Sequence, residues 1–276
     1  MSDDDADGPG VAGPAPGVGA GGTPDTDTLH HLLHAVHEHL ERIEGLVSAD
    51  GRSVGARIAP AWQRATAGEH RLPVAAFIAL AIVLQIVLPS RYLIEPRLAP
   101  VVLEGALGLG LTIANPRRIV RSSGALRGAS LLLIATISLA NAWSAVLLIN
   151  ALVRGRTGPS AAVLLGSGAA IYVTNIIVFG LWYWEFDRGG PVARAQARRP
   201  FPDFLFPQMT NPELAPPDWS TRFFDYLWLS YTNATAFSPT DVMPLSRWAK
   251  QLMLLQSAVS LVTVALVIAR AVNILK

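Results

Sequence analysis

AAVLLGSGAAIYVTNIIVFGLWYW, Ala161 to Trp184, runs for 24 residues without a charge. A helix of about 20 apolar residues crosses the hydrocarbon core of a bilayer. This stretch exceeds that length and reads as a membrane-spanning helix. Two more runs are equally clear, Gly128 to Val153 and about Trp248 to Ile274. Two others, Leu72 to Leu88, closed by Pro89, and Leu98 to Ala114, are about 17 residues each, the short end for a crossing. They read as two spans, with a re-entrant hairpin as the alternative. The expected fold is an all-α membrane protein. It has about five transmembrane helices, one short re-entrant or interfacial helix and an N-terminal amphipathic helix.

Composition agrees. Of 276 residues, 51% are hydrophobic and 15% charged, against about a quarter charged in a soluble domain. The chain has no cysteine, which excludes disulfides, thiol catalysis and Cys-ligated metals. Lys250 and Lys276 are the only lysines. The basic residues are arginines that flank apolar runs, so they act as topology signals and imply no nucleic-acid partner. Met1 to Gly8 is acidic and lacks the basic-then-apolar order of a signal peptide. The expected location is a bacterial inner (cell) membrane, the expected partner is the lipid bilayer, and no cofactor is implied.

Five segments follow from pattern. Residues 1–26, rich in Gly, Pro, Ala and Asp, read as a disordered tail. Residues 27–71 hold a helix to about Ser48 and an interfacial approach. Leu29, Leu33, Val36, Leu40, Ile43 and Val47 recur at spacings of four and three, a heptad seam that predicts a short coiled coil and a homo-oligomer. The competing reading is an amphipathic helix lying on the membrane surface. Residues 72–184 hold four spans. Residues 185–217 form a loop whose proline density forbids a long helix or central strand. Residues 218–276 hold a short aromatic helix, capped by Asp218 and Ser220, then a turn and the last span.

Positive charge collects on the cytoplasmic side of short loops. Arg52, Arg57, Arg64 and Arg71 precede the first span, and Arg117, Arg118, Arg121 and Arg127 follow the second. The opposite loops hold only Arg91 with Arg97, and Arg154 with Arg156. The expected topology places the N-terminus and residues 185–247 in the cytoplasm.

Candidate functional residues fall in three groups. His30, His34 and His37 share a helical stripe and could bind a metal or sense pH, or simply face solvent. Beyond His70 there is no histidine, so a His-based triad in the membrane body is excluded. Glu104 lies within an apolar run and needs a partner or water. Asn141, Asn150, Asn175 or Gln256 are candidate neighbours if it forms a proton or cation site; the alternative is that, so close to Leu98, it sits near one interface and is simply hydrated. Asn141, Asn150 and Asn175 read otherwise as interhelical hydrogen-bonding residues.

The third group lies in DYLWLSYTNATAFSPTDVMPLSRWAK, Asp225 to Lys250. The order of spanning helix, short aromatic helix, Thr-rich turn ending in Asp and final helix resembles a potassium-channel pore module. The resemblance covers roughly residues 160–276. It implies that Tyr231, Thr232 and Thr235 end a pore helix and that Thr235, Ser238 and Asp241 line a polar path. A potassium filter needs glycines so that its carbonyls can face the axis. Residues 235–241 contain none and include Pro239, so potassium selectivity is not expected. The arginine count also puts this loop inside, opposite to a channel's filter. The block Trp182 to Pro191, Phe206-Pro207-Gln208 and the run ending at Lys250 also resembles a family of uncharacterised bacterial membrane proteins, a likeness that names no activity. The bland alternative for the segment is a cytoplasmic cap, with Asp225, Ser238 and Asp241 as helix caps and turn formers. The expected function is a degenerate channel-like protein passing ions or small solutes, with a non-transporting, partner-recruiting scaffold as the alternative. No enzyme is expected: Glu185, Asp187 and Asp203 offer carboxylates, but no nucleophile–base pair accompanies them.

Overall fold

The computed structural model describes residues 36–38, 40, 60–120, 123–155, 160–235 and 241–275. The chain divides into two units, Met1–Ile58 and Ala59–Lys276. In the first, Val36, His37, Glu38 and Leu40 are helical and exposed. The tail 1–26, the rest of the predicted seam with His30 and His34, and Ser238 lie outside the described residues.

The second unit is helical: α1 (Arg71–Val87), α2 (Leu98–Ala114), α3 (Gly124–Val153), α4 (Ala161–Phe186), α5 (Pro191–Ala195), α6 (Pro207–Thr210), α7 (Phe223–Thr235) and α8 (Arg247–Leu275). Two antiparallel pairs of two residues pin its loops. β1 (Glu69–His70) pairs with β2 (Arg118–Ile119), and β3 (Phe204–Leu205) with β4 (Met243–Pro244). Among the described residues, three helices are long and apolar enough to cross a membrane: α3, α4 with its following turn, and α8. Helices α1 and α2 are apolar but shorter, 17 residues each, or about 26 Å. Large apolar side chains stay exposed along the outer faces, among them Val83, Leu109, Ile113, Leu139, Val146 and Leu254. Exposed apolar side chains in this number fit helices that face lipid rather than water.

Helix ends follow local chemistry. Ser123 caps α3 by accepting the Leu126 N–H at 3.2 Å, and Ser160 caps α4 through Val163 N–H at 3.3 Å. The Ser123 cap starts α3 four residues before the Gly128 expected from hydropathy, so Arg127 belongs to the helix and not to the loop. Pro89 pushes Leu88 into an extended conformation and stops α1. The longest helices that begin in the proline-rich segment are α5 and α6, of five and four residues, as its composition requires.

Helix α4 is the spine. From Thr174 to Leu181 every side chain is buried, the mark of a helix enclosed on all sides. Close approach is built into its sequence. A Cβ on Gly168 would stand 2.8 Å from the Val267 methyls of α8, and one on Gly180 would stand 3.2 Å from the Leu227 Cα of α7.

Candidate pore element and arginine-lined cleft

Helix α7 begins beside the C-terminal turn of α4, where the Phe223 and Trp184 rings meet at 6.1 Å. It then runs antiparallel to α4 into the bundle. The Ser230 hydroxyl donates to the Ile176 carbonyl at 2.6 Å. Ile176 lies ten residues before the end of α4, about 15 Å of helix. The C-terminal end of α7 therefore stops about half-way along the bundle. Helix α8 starts from the same end as α7, its Trp248 packed on Phe186 at 5.5 Å.

A polar network fixes α7 at depth. Gln256 of α8, fully buried, accepts from the Tyr183 hydroxyl at 2.6 Å and from Asn233 Nδ2 at 2.8 Å. Its own amide donates to the Ser230 hydroxyl at 2.6 Å and carbonyl at 2.9 Å. Asn233 also donates to the Met253 carbonyl at 3.0 Å. Buried amides and hydroxyls are costly unless paired, and here each bond joins two helices. The opposite face of α7 exposes Phe224, Trp228 and Tyr231.

Of the residues expected from sequence to line a path, Thr235 is half-buried at the end of α7 and donates to the Tyr231 carbonyl at 2.8 Å. Asp241 is exposed. Glu104 is fully buried, but its partner is Gln85 of α1, which donates to both carboxylate oxygens at 3.2 and 3.4 Å. This corrects the expected neighbours. Asn175 donates to Ser260 of α8 at 3.0 Å, Gln256 serves the α7 network, Asn141 is buried on α3 and Asn150 is exposed. Asn175 thus acts as interhelical glue. Among the described residues no three His, Asp or Glu side chains converge as a metal-holding group.

The loop after α4 carries a second cluster that the sequence did not reveal. Asp187 accepts from the Tyr226 hydroxyl at 2.5 Å and from the Asp203 amide at 2.8 Å. Asp203 in turn accepts from Trp248 Nε1 at 2.9 Å and from the Arg188 amide at 3.0 Å. Both oxygens of each carboxylate are engaged by donors that hold the chain crossing together. Arg188, at φ 52, and Gly189 and Gly190, at φ 84 and 97, turn the chain sharply here. A side chain at Gly190 would also collide with the Glu185 carbonyl. At the start of α7 the capping role expected of Asp218 and Ser220 falls to Glu69. Its carboxylate accepts from the Phe223 amide and, at 2.7 Å, from Trp184 Nε1.

No family model, curated protein or solved structure matches this chain.

Beside Glu69 opens a cleft of about 550 Å³. Arg64, Arg118, Arg188, Arg194 and Arg222 line it, with Glu69 and Asp218 as its acids. Arg194 is clamped by the Trp184 carbonyl at 2.5 Å and the Asp187 carbonyl at 2.9 Å, with its guanidinium over the Tyr226 ring at 4.8 Å. Arg188 donates to the Trp62 and Arg199 carbonyls at 2.7 and 2.9 Å. Burial pushes the Glu69 carboxyl above its ordinary range, while the nearby Arg194 charge pulls the other way. Burial likewise raises Asp225, opposed by its hydrogen bond from the Arg222 amide, and holds the Tyr226 hydroxyl neutral.

Proposed function

We propose a multi-pass membrane protein of channel-like design, with α1, α2, α3, α4 and α8 crossing the bilayer and α7 as a re-entrant half-helix. The observation that carries this reading is where α7 ends. It enters from the end of the bundle at which α8 starts and stops about half-way in. The unpaired carbonyls of a helix C-terminus carry partial negative charge, which favours a cation near that end. Thr235 stands at this terminus, and Asp241 follows a short stretch later. In an oligomer of this chain, Asp241 supplies a ring of negative charge that selects cations, as acidic rings do in other pores. The glycine-free turn gives no potassium cage, so the expected cargo is cations or small solutes without potassium selectivity. The arginine distribution supports a cytoplasmic N-terminus.

The test is flux from proteoliposomes containing the full chain. Wild type is expected to pass monovalent cations, and Asp241→Asn to reduce that flux several-fold without loss of folded protein, since Asn serves a turn as well as Asp. Correctly folded wild type that passes no ion under a voltage or pH gradient would overturn the reading. It would leave a non-transporting scaffold whose exposed Phe224–Trp228–Tyr231 face is the docking surface.

A further inference from the structure

The arginine-lined cleft belongs to neither the α7 network nor the polar clasp after α4, and its chemistry points outward to a ligand. Five arginines face two acids around one space, and both oxygens of one of those acids, Glu69, are already engaged by Trp184 and Phe223. Two of the arginines are nearly enclosed: Arg188 is 1% exposed and Arg194 is 6% exposed. Carbonyls hold Nε and Nη1 of Arg188 and Nη1 of Arg194, yet Nη2 of each has no hydrogen-bond partner. A guanidinium held rigid by carbonyls, with donors to spare, is preorganised for the paired oxygens of a phosphate or carboxylate. Burial without an acceptor is costly, and an anion in the cleft would relieve that cost.

The walls say which anion. Pro73 of α1 and Phe224 of α7 line the same cleft, and Phe77 joins these helices by packing on Phe224 at 5.8 Å. From there the surface continues into exposed apolar side chains, Leu72 on α1 and Trp228 on α7. A cationic pocket at the start of two apolar helices, opening onto their greasy faces, has the polarity of a phospholipid laid lengthwise. Glu69 and Asp218 disfavour a dense polyanion and suit a single phosphodiester. We propose that the cleft seats the phosphate of an anionic glycerophospholipid, with its acyl chains along the outer faces of α1 and α7.

The experiment is a titration of delipidated full-length protein in neutral detergent. Three probes are compared, short-chain phosphatidylglycerol, phosphatidylcholine and inorganic phosphate, with native mass spectrometry counting bound molecules. One phosphatidylglycerol is expected to bind in preference to phosphatidylcholine. Arg118 and Arg222 are exposed at the rim, so the double variant Arg118→Gln, Arg222→Gln should fold. It should weaken binding roughly tenfold or more, the usual loss for charge-assisted contacts. If the double variant does not fold, Arg64→Gln is read in the same titration for the same direction of change. Equal binding of phosphatidylcholine, or unchanged affinity in the folded variants, overturns the proposal. Inorganic phosphate binding as tightly as the lipid also overturns it and assigns the cleft to a soluble phosphate. None of these outcomes depends on whether the protein conducts ions.

Discussion

Replacing Gln256 with leucine tests whether the buried network holds α7 at depth. Leucine keeps much of the volume but removes four hydrogen bonds, two accepted from Tyr183 and Asn233 and two donated to Ser230. Asn233 retains the Met253 carbonyl, and the Ser230 hydroxyl retains that of Ile176. The Tyr183 hydroxyl keeps only a 3.5 Å approach from Asn233 and loses its acceptor. Interhelical hydrogen bonds in membrane proteins contribute about 0.6 kcal/mol each, and a stranded buried hydroxyl costs about 1 kcal/mol more. Gln256→Leu should therefore destabilise the folded state by about 3 kcal/mol. Ser260→Ala, which removes the single bond from Asn175, should cost about 1 kcal/mol or less. Equilibrium unfolding in bicelles by added sodium dodecyl sulfate measures both. The chain has no cysteine, so Ala234→Cys, at a position fully buried in α7, adds a local readout. The introduced thiol should resist maleimide in the parent background and react once Gln256 is leucine. If the Gln256 variant is no less stable than the Ser260 variant and the thiol stays protected, packing alone docks α7 and the hydrogen-bond argument is refuted.

Gly180→Leu should displace α7, because even a Cβ meets Leu227 backbone at 3.2 Å. The cost of such overpacking is about 1–3 kcal/mol, and it should appear as a lower unfolding midpoint together with maleimide labelling of the Ala234→Cys background. Glu69 gives a pH prediction. Its folded value is raised by burial above the ordinary 4.5, so its contribution is complete at low pH and is lost as pH rises through the folded value. Thermal unfolding followed from about pH 4 upward should show stability falling over that range. Glu69→Gln should flatten this slope, and an unaltered slope would locate the titration elsewhere. Cysteines introduced in place of Ala125 and Arg154, at opposite ends of α3, should label from opposite sides of the membrane in intact cells, with position 125 on the inside. Labelling of both from one side would show that α3 does not cross.

The three long apolar helices are legible in the sequence because length and apolarity suffice to define them. Val153, Ala161 and Ala114 fall at the helix ends expected, while the start of α3 depends on the Ser123 cap, a local signal weaker than hydropathy. The short aromatic helix is also legible, through its flanking prolines and its length. Its surroundings are not. Gln256 reads as a neighbour of Glu104 because both are polar residues in apolar runs, and only tertiary packing tells which helix each one faces. Gln85 could have been found by laying α1 against α2 as a hairpin, since the two residues lie 19 apart. The clasp of Asp187, Asp203, Tyr226 and Trp248 joins loop and helix across separations of 16 to 45 residues with no periodicity to betray it. The same holds for the cleft, whose arginines read singly as topology signals. Five of them share one space only because β1 and β2, the loop after α4 and the start of α7 meet there.

Glu69 sets a schedule for biogenesis. It stands immediately before α1, yet its two partners lie 115 and 154 residues further along the chain. A ribosome adding about 5–20 residues per second takes roughly 8–30 s to deliver the second of them. During that interval α1 and α2 are already made, while the carboxylate ahead of them lacks both of its hydrogen-bond donors. The late arrival of Trp184 and then Phe223 secures the chain just ahead of α1 only after most of the helices have been made.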